Sequence, residues 1–431
     1  MFRQPFYGVL PGLALVLALV SPLLLRSAAQ APVSSSTLAL TGGRVIDGTG
    51  GAPLERATLV VRNGRIDAVS RETEGAIPPG ATRIDVSGKT IIPGLINAHA
   101  HVNNGDPALP LFEQLVQQMR LYAKFGVTSA VTLGDDGKES VRVRDDDERS
   151  ALDRARLFVA GPPVVAKTVE EARQLIDHNA ELGVNVIKTR MNGNANDMTP
   201  PVYTAVIERA HQRGLPVAAH LYYLKDARGL VEAGLDIVAH SVRDQAVDNA
   251  FVAELKRRNV AYIPTLTRDL SVFVYEATPA FFNEPFFLRG GAAYDAEVKQ
   301  LQDPALQQKT RASAEAQTIK KALDQAKRNL KRLADGGVTI AMGTDSGTGL
   351  GRWQGYFEHV EMEMMVEAGM SPMQALVAAT GAAARAMRLD GEIGTIAPGK
   401  RADFVVLNAD PLTDIRNTRQ INGVWIAGRK Q

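Results

Sequence analysis

The chain has 431 residues, 45% of them hydrophobic and 22% charged, with a formal net charge of +2, which suits one large α/β barrel with a smaller companion rather than a single ordinary domain. The balanced charge argues against a nucleic-acid-binding basic face and against an acidic tail. Cysteine is absent, which excludes disulfides and thiolate ligands, so any metal must be held by His, carboxylate or a modified side chain.

At the N-terminus, Arg3 precedes an apolar run from Val9 to Leu25, followed by the small residues Ser27-Ala28-Ala29-Gln30-Ala31. A positive end, an apolar centre and an Ala-x-Ala site form a signal peptide over 1–31, giving a periplasmic or secreted protein with no stable membrane insertion after cleavage. The competing reading is an uncleaved anchor, and against it Pro11 and Pro22 interrupt a run near the lower limit for spanning. Ser34-Ser35-Ser36 then reads as a linker.

Residues 37–90 have the texture of short strands: Leu38-Ala39-Leu40, Arg44-Val45-Ile46, Thr58-Leu59-Val60-Val61 and Arg65-Ile66-Asp67-Ala68-Val69, punctuated by turn residues. Asn63-Gly64 predicts a tight hairpin. From 91 to 390, short apolar strands alternate with helix-length amphipathic stretches. The strands are the one entering at Ile91, then Val127–Leu133, Leu157–Ala160, Val184–Thr189, Pro216–His220, Ile237–His240, Ala261–Thr265 and Val338–Thr344. Eight such units predict an α/β fold of the (β/α)8, TIM-like barrel type. Before the last strand lie an aromatic loop at 281–287, read either as a lid or as packing on its own barrel, and a charged amphipathic helix over 307–335. Strand texture returns over 393–431, so 37–90 and 393–431 are expected to fold together as a small β-sandwich.

The chemistry-bearing residues fall at strand ends. His99 and His101 are two apart on an extended segment and project to one side, so both imidazoles can reach one ion. His220, His240 and Asp345 end later strands, and Lys188 ends the fourth; in a barrel these ends form one rim. Lys188 reads either as a simple rim cation or, buried beside metals, as a neutral amine, which can add carbon dioxide to give a carbamate able to bridge two cations. Substrate contacts are sought at Tyr223, Arg243 and Arg268, with Tyr222 and Arg190 nearby; ordinary rim ion pairing is the alternative for each arginine. His178 and His211 read as helix-surface residues, and His359 either as support for a ligand or as part of a solvated helix face.

The ordered set resembles the amidohydrolase superfamily over nearly all of the mature chain. Its carriers are Ile92-Pro93-Gly94-Leu95-Ile96-Asn97-Ala98-His99-Ala100-His101, Val186-Ile187-Lys188, His220, Ala239-His240, Gly343-Thr344-Asp345, and Gly394-Thr395-Ile396-Ala397-Pro398-Gly399-Lys400-Arg401-Ala402-Asp403. The flanking Tyr262-Ile263-Pro264-Thr265-Leu266 and Ala233-Gly234-Leu235-Asp236 are similar to the imidazolonepropionase-related and Xaa-Pro dipeptidase branch. The resemblance implies two divalent metal ions, commonly Zn2+, with His99, His101 and Asp345 on one and His220 and His240 on the other. Carbamylated Lys188 and a hydroxide would bridge them, and Asp345 would also move the proton as the catalytic residue. The implied activity is cleavage of an amide or peptide bond in a small-molecule substrate of the dipeptide or N-acyl amino acid class. A lactonase or phosphotriesterase-like hydrolase and a non-catalytic binding barrel stay open beside it, as does a homo-oligomeric state.

Overall fold

In the computed structural model the described residues are 37–71, 77–147 and 152–431; the expected signal peptide at 1–31 lies outside them. β1 (Thr37–Val45) runs through both of the first two expected strands, because the register shifts at Gly42-Gly43, with Gly42 at φ +80°, and the strand continues past the irregularity. β2 (Leu54–Arg62) and β3 (Arg65–Arg71) are antiparallel, joined at Asn63-Gly64 with φ of +51° and +76°, the left-handed pair that this dipeptide favours. β4 (Thr82–Asp85) and β5 (Thr90–Pro93) both run parallel to β1.

The barrel strand expected to enter at Ile91 is divided at Gly94, so β5 stays with the first segment and β6 (Leu95–Ala100) starts a new sheet. A Cβ on Gly94 would lie 2.0 Å from Thr128 Oγ1, so this close approach needs glycine. β6 pairs in parallel with β7 (Val127–Thr132), which pairs with β8 (Arg156–Phe158). β9 (Ile187–Arg190), β10 (Val217–His220), β11 (Ile237–Ala239) and β12 (Ala261–Ile263) form a second parallel sheet. Every residue of β6 and β7 is buried, as expected for parallel strands covered on both faces.

The two parallel sheets are linked by single bridges rather than continuous ladders. Val164 bridges Thr189, and the expected eighth strand is reduced to bridges at Ile340 with Tyr262 and at Ser346 with Ala100. Its amides are divided among partners: Ala341 N donates to Tyr262 O, while Met342 N is diverted to Ala378 O in the following helical layer. Ile96, Ala98, Val131, Ala218, Ala239 and Ile263 share one buried cluster. The outer faces of the strands pack on the helices in a larger core.

β13 (Phe404–Leu407) pairs antiparallel with β5, and β14 (Ile421–Ile426) and β15 (Arg429–Lys430) extend it. The two chain ends thereby build one eight-stranded sheet, ordered β15-β14-β13-β5-β1-β2-β3 with β4 on β1. Of the two readings of the aromatic loop, packing is the observed one: Phe282 and Phe287 are buried with Trp353 and Tyr356. The expected helix over 307–335 is two helices, Pro304–Ala312 and Ala314–Asp335, because Ser313 ends the first and its hydroxyl accepts Ala316 N to cap the second. Among the described residues no helix is long and apolar enough to cross a membrane.

Candidate metal centre

β6 delivers His99, and His101 follows on the same side of the extended chain. The backbone then supplies Asp345 from the opposite direction: its N–H donates to His99 O at 2.7 Å and its φ is +60°, a strained value for a non-glycine residue. Asp345 Oδ1 consequently lies 3.2 Å from His99 Nε2 and 3.0 Å from His101 Nε2. Among the described residues these three form the group whose ligand atoms all fall within 4.8 Å of one another.

The other three residues stand around this trio. Lys188 Nζ, from β9, is 3.4 Å from His99 Nε2. The His240 ring lies 4.4 Å from that of His99 and 4.5 Å from that of His220, which ends β10. His240 has φ +85° and its Nδ1 meets Thr265 Oγ1 at 2.7 Å, with Thr265 itself at φ +47°. Three non-glycine residues with positive φ at one site mark a backbone held by its surroundings.

Burial decides the protonation of the ring. It pushes His99 down to about 3 and His220 to about 2, with the Lys188 charge adding to both, and holds His240 well below its ordinary value. Burial likewise brings Lys188 down to about 7, so its neutral amine is accessible near neutrality. Burial opposes ionisation of Asp345, but the charge of Arg352 and hydrogen bonds from His101 and His99 hold its carboxyl well below the usual range.

Neutral imidazoles, a carboxylate and an accessible amine, converging with few protons among them, are the donor set of a divalent cation site. His99 Nδ1 and His101 Nδ1 are also buried without a hydrogen-bond partner, while the Nε2 atoms of both rings face Asp345 Oδ1. The residues fit one or two such ions.

The sought substrate contacts separate. Arg268 Nε is 4.0 Å from Asp345 Oδ2 while its Nη1 holds Asp269 at 2.9 Å. Arg243 is buried, paired with Asp269 at 2.8 Å, donating to Ser241 O and stacked 4.6 Å over Tyr222, so its guanidinium is committed within the fold. Tyr223 packs on Gly193, where a Cβ would come within 2.1 Å of the ring. Arg190 faces Asp135 at 3.5 Å. His178 is exposed and His211 pairs with Asp236 at 2.8 Å, both away from the centre.

Sequence reasoning missed Arg352, whose Nη1 lies 2.5 Å from Asp345 Oδ2 and whose Nε donates to Ser271 Oγ at 3.2 Å. The signal available was its place in a loop of three glycines, Gly347, Gly349 and Gly351, all at positive φ. It also missed Glu358 and Glu361, two carboxylates buried within an otherwise aromatic and methionine-rich helix, Tyr356–Glu367. His359 on the same helix is buried rather than solvated, bonded to Thr418 Oγ1 and Phe125 O, because the helix packs on neighbours all round.

Residues 90–430 match the family model described as Amidohydrolase family. An ochratoxinase of Aspergillus niger is 25% identical over 285 residues, covering 63% of this chain and 51% of that protein, so the chain spans about half the length of this curated relative. An imidazolonepropionase of Klebsiella pneumoniae is 25% identical over 389 residues, 81% of this chain and 85% of that protein. Among solved structures, a Bifidobacterium longum protein described as a prolidase superposes with a TM-score of 0.76 at 28% identity, covering 92% of this chain and 95% of that one. A Xaa-Pro dipeptidase with bound methionine in its active site gives 0.73 at 20% identity, covering 92% and 100%.

Proposed function

Because the chain belongs to the amidohydrolase family, whose members share a TIM-like barrel with a second domain, we propose that it is a metal-dependent hydrolase of carbon–nitrogen bonds. The observation that carries the reading is the convergence of His99, His101 and Asp345 with Lys188, His220 and His240 on one buried rim. The same membership, with the bridges at Val164, Ile340 and Ser346, supports reading the parallel strands as one (β/α)8 ring that starts at β6, past Gly94 rather than at 91, and runs to 390. Residues 37–93, which take in β5, and 393–431 are then its β-sandwich companion, supported by a shared core that includes Leu40, Leu59, Ile91, Phe404 and Trp425. An exported location follows in this reading from the segment 1–31.

His99, His101 and Asp345 would hold one divalent ion, zinc by preference, and His220 with His240 a second, with Lys188 as a carbamate between them. Such ions, when bound, acidify water and polarise a scissile carbonyl. Asp345 accepts the proton of the attacking water on its carboxylate and passes it to the leaving nitrogen, a task its burial beside the two imidazoles suits. Arg268, near Asp345 and partly open, pairs with a substrate carboxylate, with Tyr223 as a second substrate contact; the carboxylate pairing favours dipeptides or N-acyl amino acids. Arg243 braces Tyr222 from behind.

Purified protein tested for metal content and against Xaa-Pro dipeptides, N-acyl amino acids, lactones and paraoxon decides the matter. Two ions per chain and turnover of an amide substrate are expected, with both sharply reduced in Lys188→Ala. Turnover of lactone or paraoxon alone, or full activity of Lys188→Ala with two ions retained, overturns the reading.

A further inference from the structure

The helix Tyr356–Glu367 carries two carboxylates one turn apart, Glu358 and Glu361, each 0% exposed among aromatic and methionine side chains. Burying a carboxylate is unfavourable unless its oxygens are hydrogen-bonded, so what these oxygens bind explains why they are there. Glu358 Oε1 accepts Asn97 Nδ2 at 2.6 Å, Thr344 Oγ1 at 3.0 Å and Ser346 Oγ at 2.8 Å. Asn97 in turn accepts His99 N on its Oδ1 at 2.9 Å, and Thr344 and Ser346 flank Asp345 in sequence. One oxygen therefore ties together the two segments, β6 and the stretch around Asp345, that bring His99 and Asp345 face to face.

Glu361 serves the other half. Its Oε1 accepts Leu266 N at 2.8 Å and its Oε2 accepts both Thr267 N and Thr267 Oγ1 at 2.7 Å. These residues follow Thr265, the left-handed residue whose hydroxyl meets His240 Nδ1. We infer that Glu358 and Glu361 are positioning residues of the metal centre, Glu358 fixing His99 against Asp345 and Glu361 fixing His240 through Thr265, with one helix setting both halves of the ligand ring. The inference rests on the metal-dependent reading above.

The two sites differ in a way that gives the test its contrast. Glu358 Oε2 is buried without a hydrogen-bond partner, so a glutamine there keeps its carbonyl oxygen in place of Oε1 and turns its amide to the free side. At Glu361 both oxygens accept, so glutamine sets an N–H donor against backbone N–H donors whichever way it turns. A packing role alone would tolerate glutamine equally at both. Metal affinity by chelator competition, with kcat and KM measured separately, should leave Glu358→Gln near the wild type. Glu358→Met and Glu361→Gln should lose about 10–100-fold in metal affinity, with kcat falling and KM little changed.

Wild-type affinity in Glu361→Gln, or Glu358→Gln as damaged as Glu358→Met, overturns the inference. Thr265→Val, which keeps the side-chain shape and removes only the hydroxyl facing His240, decides should Glu361→Gln fail to fold: weakened metal binding supports the coupling and unchanged binding overturns it. Wild-type protein that binds no divalent ion defeats the metal-dependent reading itself, a result separable from any pattern among the variants.

Discussion

Asp345 has a carboxylate with two faces, one toward the imidazoles and one toward Arg352, and the second face sets how the first is aimed. Replacing Arg352 by Met removes a charge-assisted hydrogen bond from the proton-moving group while leaving every candidate metal ligand in place. Kinetics with an amide substrate should show kcat/KM lower by about 10–100-fold, with partial recovery in Arg352→Lys; unchanged kcat/KM in Arg352→Met would remove Arg352 from the mechanism. The residues at strand ends were legible in the sequence, because a strand has a fixed period and a barrel has one rim. Arg352 was not. It reaches Asp345 only after a loop with three left-handed glycines folds back, a path that local periodicity does not encode.

At the scale of elements, the helix Tyr356–Glu367 shows where pattern reading stops. Its alternation of Glu, His and Met looks like a solvated face, yet most of its residues are buried because neighbours surround it. The hairpin at Asn63-Gly64 was legible because two residues dictate it; the eighth strand is reduced to single bridges, which its sequence does not foretell, because Met342 gives its amide to Ala378 and not to a ladder. His359 turns the helix's burial into a measurable effect. Its ring lies between Thr418 Oγ1 at 2.9 Å and Phe125 O at 2.8 Å, and burial, helped by the charges of Arg419 and Arg289, pushes it down to about 3 against a hydrogen bond that favours the charged form. The unfolded chain takes a proton on this ring as pH falls below 6.5, while the folded ring resists until about 3. Stability present above 6.5 is therefore lost on the way down to about 3, by up to about 1.4 kcal/mol per pH unit. Denaturant titrations should show His359→Gln less stable than the wild type at pH 8 but with a flatter decline across that window; parallel pH profiles would show that His359 is protonated in the folded state.

Across the whole molecule, the sheet built from both chain ends must be held to the parallel strands that carry the metal-centre residues. The sequence texture showed that the ends belong together, since both are strand-rich. It did not show the joint, because the partners are far apart in the chain: Arg156 on β8 and Asp403 just before β13 form a buried pair with Nε to Oδ2 at 2.8 Å. Asp403 is anchored further, accepting Ala427 N on Oδ1 at 2.6 Å and giving its carbonyl to Gly94 N at 2.9 Å, at the point where β5 and β6 part. Removing Asp403 takes the hydrogen-bonded carboxylate from a buried guanidinium on which the charge of Asp147 also acts, so the cost falls below the full penalty of an uncompensated buried charge, and removing both members spares it. Asp403→Asn keeps an acceptor for Ala427 and should destabilise by about 1–3 kcal/mol, the loss of a charge-assisted hydrogen bond, as read from the denaturant midpoint. Adding Arg156→Met to it should restore part of the loss, a coupling of opposite sign to simple additivity. Purely additive losses would instead mean that Arg156 finds compensation elsewhere, and that the two sheets are joined mainly by their apolar contacts.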